Sequence, residues 1–199
     1  MSVLLIFVDG VGLGVTDETR NPLSNAPMPV VRQVIGDRPL ILASAENAVT
    51  HERVDGLDAP ARLVAVDACL DMPGLPQSAT GQTTLLSGIN ASQVLGRHLS
   101  GLPTETLVRI LREHSLFKQL REAGKTATFV NPFTDDYFEA VEKGKWRHSS
   151  TTTAVLSADL PVRMLDDFLR GRAVFHDITG EGLRRRGYDV PVITPDEAG

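Results

Sequence analysis

Cysteine is almost absent from this chain. Cys69 is the only one in 199 residues, which excludes an internal disulfide and any cysteine-rich zinc site. Long apolar runs are missing as well. The run that opens the chain, Val3 to Val8, stops at Asp9 and is too short for a signal-peptide core or a membrane span. Positive charge is not in excess: the net charge is −5 and the isoelectric point near 5.5. Neither nucleic acid nor an anionic membrane is therefore an expected partner. There is no internal repeat, linker or low-complexity block. What remains is an ordinary globular composition, 42% hydrophobic and 23% charged, which excludes a disordered chain. The expectation is a soluble, cytoplasmic protein with a single α/β domain over 1–199 and a substantial core.

The stretch with the strongest chemical signal runs from Gly74 to Asn90. Pro73, Gly74 and Pro76 make its first half a loop. Thr80 to Ser87 reads as a short helix closed by Gly88 and Asn90. Ser78 and Thr80 thus fall at or just before a helix N-terminus, where unpaired N–H groups and the positive end of the dipole favour an anion and stabilise an alkoxide. A hydroxyl there is a candidate nucleophile and a phosphate its candidate substrate; the plain alternative is simple N-capping. A P-loop is excluded, because Gly74 and Gly81 enclose six residues and Gln82 stands where lysine is required. A nucleophile elbow is excluded because Ser78 lacks the flanking glycines.

Val3–Val8 is apolar on both alternating faces, the pattern of a central strand covered on both sides in an α/β sheet. Asp9 ends it and glycines follow at 10, 12 and 14. Their spacing is not that of a dinucleotide loop, and an aspartate at the strand tip would repel a pyrophosphate. A carboxylate at the carboxyl end of a core strand suits a divalent metal, against the plain reading of an Asp-Gly turn. Residues 17–39 read as a surface excursion with a short helix at Val30–Val34. Pro39–Leu42 and Ala61–Val66 are strand candidates, with an unpatterned stretch, 43–60, between them.

Past Asn90, Arg97 and His98 lie between glycines, where they either face a phosphate or bond at the surface. Thr104–Glu122 has helical spacing, divided at His114-Ser115 with Ser115 as a second N-cap. Gly124 ends it and Lys125–Val130 follows as a strand, an α/β repeat that implies a mostly parallel sheet flanked by helices. An amphipathic helix occupies Phe133–Gly144. Lys145–Thr153 is basic and then hydroxyl-rich, a solvated loop or a phosphate contact. A helix at Val162–Leu169, a short strand at Ala173–Phe175 and a basic helix at Gly180–Arg186 complete the pattern. Thr194-Pro195-Asp196-Glu197 is a capping box that announces a helix two residues before Gly199, so the chain reads as truncated.

Asp9 and Ser78 together carry a resemblance. Val-Leu-Leu-Ile-Phe-Val-Asp9-Gly resembles the opening of the alkaline phosphatase superfamily, in the metalloenzyme branch that contains cofactor-independent phosphoglycerate mutase and phosphopentomutase. Ser78-Ala-Thr80-Gly81-Gln82 is similar to the nucleophile pattern S-x-x-G-H of those mutases, with Gln in place of His. The resemblance runs from residue 1 to about Val130. It implies an alkaline-phosphatase-like core and two divalent metal ions, Mn²⁺ or Zn²⁺. It also implies Asp9 and Ser78 as metal ligands, Ser78 as nucleophile ahead of Thr80, Gly81 and Gln82 at the substrate, and a small phosphorylated substrate. The family's later motifs, Asp-x-x-x-His and Asp-His, are absent: none of the five histidines has an aspartate at either position. The chain then reads as the amino-terminal portion of a longer enzyme, inactive by itself. The alternative is a non-catalytic phosphate-binding or regulatory domain with a degenerate metal site.

Overall fold

The computed structural model describes residues 2–45, 50–51 and 61–198. They fall into two units, Met1–Asp67 and Ala68–Gly199.

In the first unit, the turn at 14–21 is held by one buried asparagine. Asn21 donates from Nδ2 to the Val15 carbonyl (2.8 Å), and its Oδ1 caps the 3₁₀ turn Pro22–Ser24 through Leu23 N–H. Gly14 is required here, because a Cβ at that position would lie 2.8 Å from Asn21 Nδ2. Helix α1 spans Pro29–Val34, close to the expected Val30–Val34, with proline at its first position. Pro39–Leu42 is not a strand: Ile41 makes one parallel bridge to Gly14, and Leu42 already opens the short helix α2, Leu42–Ala45. Strand β1, Thr50–His51, pairs antiparallel with β2, Ala61–Arg62, which is all of the expected 61–66 strand that ladders. Residues 46–49 and 52–60 of the unpatterned stretch lie outside the described residues.

Val3–Val8 corrects the reading of a covered central strand. No ladder includes it, and its side chains are exposed, from 48% at Phe7 to 83% at Val3. The composition is that of a buried strand, but a strand exists only through its partners, and no described residue pairs with it.

The second unit is helix-rich around three packed helices. Helix α3 spans Ser78–Ser87, starting two residues before the expected Thr80 and ending at left-handed Gly88. Helix α4, Ala91–Leu95, is capped by Asn90. The long periodic segment divides as its sequence indicates, into α5, Glu105–His114, and α6, Leu116–Glu122. Ser115 at the break is fully buried; it caps Lys118 N–H and bonds Ser157 Oγ at 2.7 Å. Ala79, Ala91, Leu107 and Ile110 form one core cluster, and Leu86, Leu111 and Ala154 another. Each fully buried leucine contributes about 2 kcal/mol of transfer free energy.

Strand β3 is Pro132–Phe133, not Lys125–Val130. The expected stretch carries no ladder: Val130 accepts from Val174 N–H (3.2 Å), and the Asn131 side chain bonds the Val174 carbonyl. Helix α7, Asp135–Glu142, and helix α8, Ser150–Leu156, lead to β4, Arg163–Met164, which pairs parallel with β3. This strand–helix–strand crossover with a parallel pair puts the unit in the α/β class. Helix α9, Leu165–Leu169, and helix α10, Glu181–Arg185, enclose the third cluster, Phe168, Ala173, Phe175, Leu183 and Val190. Ala173–Phe175, expected as a strand, contributes buried side chains without a ladder. The capping box forms at Thr194 and Glu197 and opens α11, Pro195–Ala198. No described helix is long and apolar enough to cross a membrane.

Candidate active site

Helix α3 separates the candidate residues by face. Ala79, Thr80, Thr83 and Leu86 point into the core, while Ser78, Gly81, Gln82 and Leu85 share the opposite, open side at i, i+3, i+4 and i+7. Ser78 is half-buried at the first helical position; Gln77 is the N-cap residue and makes no side-chain cap. Thr80 is 1% exposed and its hydroxyl is engaged twice, donating to the Gln77 carbonyl (3.3 Å) and accepting from Leu99 N–H (3.2 Å). It fastens the loop after α4 to the start of α3.

The same loop corrects the picture of an open amide cluster. Ala79 N–H and Thr80 N–H both donate to the Leu99 carbonyl, at 3.0 and 3.3 Å. Two of the helix's orphan donors are therefore spent on a neutral acceptor, and the dipole rather than these amides is what the N-terminus offers an anion. Leu99 was not legible as a site element; the signal was the pair of glycines at 96 and 101, both left-handed, that bring the chain back.

The loop before α3 is held as firmly. Leu70 and Asp71 are both left-handed, at φ 55 and 58, a conformation costly for side-chain-bearing residues. Asn90 Nδ2 bonds the Leu70 carbonyl at 3.0 Å, and His98 Nε2 lies 3.2 Å from the Met72 carbonyl. His98 is thus a strap between two loops, while Arg97 is exposed.

Lys145–Thr153 is not a loop throughout. Lys145–Arg147 is exposed, but α8 takes up the hydroxyl run and buries Ser150, Thr152 and Thr153. Ser150 Oγ donates to the Ala79 carbonyl and accepts from Thr83 Oγ1, both at 3.3 Å, which brings α8 against the first turn of α3. Just before it, His148 Nδ1 lies 2.9 Å from the Tyr137 hydroxyl. Burial, helped by the Arg112 charge, lowers the His148 pKa, and burial raises that of Tyr137.

Asp9 belongs to the other unit and is exposed, followed by left-handed Gly10. Among the described residues, no three His, Cys, Asp or Glu side chains gather where they could hold a metal ion. The described residues therefore do not make up a metal centre. Comparison with protein families, curated proteins and solved structures finds no match for this chain.

Proposed function

We propose that the chain is the nucleophile-bearing part of an enzyme for phosphoryl transfer or phosphate-ester hydrolysis, with Ser78 as nucleophile. The observation that carries this reading is the sorting of α3: Ser78, Gly81 and Gln82 lie together on its open face, while Thr80 is locked in the core. The resemblance of this segment and of the Asp9 segment to the metalloenzyme branch of the alkaline phosphatase superfamily agrees with it, and that branch would bring an alkaline-phosphatase-like core. In the reaction, the P–Oγ bond forms as the ester P–O bond breaks, and the serine proton ends on the leaving oxygen. Water then cleaves phosphoserine and restores the hydroxyl, or a substrate hydroxyl takes the phosphoryl group. Two divalent ions, Mn²⁺ or Zn²⁺, would supply charge neutralisation. In the family resembled, their ligand set also takes Asp and His side chains from motifs that this sequence lacks.

The test uses the protein as its source makes it, with a phosphate monoester and Mn²⁺ or Zn²⁺ supplied. Ser78→Ala should abolish turnover with an unchanged circular dichroism spectrum, and near-normal turnover would refute the assignment. The 199-residue chain alone should show no turnover. The lack of the Asp-x-x-x-His and Asp-His motifs in the sequence favours a second reading, a non-catalytic phosphate-binding or regulatory domain with a degenerate metal site. Metal analysis separates the two, since the binding domain carries no stoichiometric metal.

A further inference from the structure

Glycine is a poor choice inside a helix, second only to proline in cost. Gly81 nevertheless occupies the second turn of α3, in helical conformation rather than at a turn that needs positive φ. Packing among the described residues does not call for it: a Cβ built at Gly81 meets none of them within 4 Å. This contrasts with Gly14 and Gly180, where a Cβ would come within 2.8 Å of a side chain.

A helical side chain leans toward the N-terminus and covers the turn before its own Cα. A Cβ at 81 would therefore lean over the turn that carries Ser78, three residues earlier on the same face. We infer that Gly81 is a positioning residue whose missing side chain keeps clear the space a phosphoryl group on Ser78 must occupy. This rests on the assignment of Ser78 as nucleophile. Gln82 and Leu85, the latter 59% exposed, lie on the same face of the helix.

The inference separates stability from function, because removing the glycine should help the fold and harm the reaction. In the protein as its source makes it, Gly81→Ala should raise Tm by about 2–4 °C. It should lower kcat for a phosphate monoester at least tenfold, with inorganic phosphate binding weakened in parallel. Ser78→Ala is assayed alongside. If Ser78→Ala is inactive and Gly81→Ala is stabilised yet fully active, this inference alone falls. A lower Tm for Gly81→Ala makes the glycine structural and also overturns it. If Ser78→Ala keeps its turnover, the nucleophile assignment itself falls, and this inference with it.

Discussion

Thr80 and Ser78 lie two residues apart and look interchangeable in sequence, yet the helix turns them to opposite sides. The Thr80 hydroxyl satisfies Leu99 N–H and the Gln77 carbonyl in a fully buried position. Thr80→Ala would leave the Leu99 amide without that acceptor and should cost about 2 kcal/mol of stability, read as a lower denaturation midpoint in urea. A loss below about 0.5 kcal/mol would show that the loop is held by other means. Sequence placed both hydroxyls at the helix start correctly. The resemblance put Ser78 ahead of Thr80 as nucleophile, but the loop signals did not show which hydroxyl faces the core. The helix begins two residues earlier than they suggested, and one residue of register moves a side chain by about 100° around the axis.

Among the elements, the helices were the most legible part. The break at Ser115 and the box at Thr194 are local signals, written in residues that cap their own helix, and the amphipathic α7 is written in its own apolar spacing. The strands were not, because laddering depends on distant partners: Lys125–Val130 has strand composition, and the pairing falls on Pro132–Phe133 instead. Ties between elements were equally hidden. Asp136, in the first turn of α7, accepts from the Tyr188 hydroxyl and from Arg186, just after α10. Hydrogen bonds from Thr134 and Tyr188, with the Arg186 contact added, lower its pKa to about 2. Because the folded value lies below the unfolded one, this contribution is present above about pH 4 and is lost as pH falls toward 2. Asp136 is half exposed, so solvent screens the effect. Stability measured against pH should therefore fall slightly more steeply below pH 4 for the wild-type protein than for Asp136→Asn. Parallel curves would remove Asp136 from the acid response.

At the scale of the whole molecule, the dominant feature is Val3–Val8, six consecutive exposed apolar residues without a ladder. Unpaired edges and short uncharged β-prone segments of this kind recruit other chains. At tens of micromolar, the 199-residue chain should sediment as species heavier than its 21.5 kDa, and Ile6→Lys should return it toward monomer without a change in Tm. A monomeric wild-type chain would show that the segment is harmless in isolation. The α/β reading drew on this run, and the run has the right composition for it. The sheet that would cover it is not among the described residues.

The Leu99 carbonyl has a consequence in time as well as in space. The first turn of a helix ordinarily frays, and its amides exchange with solvent almost as fast as those of a coil. In α3 the amides of Ala79 and Thr80 are donors to Leu99, and Leu99 is itself pinned by Thr80. Their hydrogens can leave only when the loop lifts as a unit. Amide exchange at Ala79 and Thr80 should therefore be slower than in an ordinary first turn, because the turn that carries Ser78 is tied to the loop at Leu99.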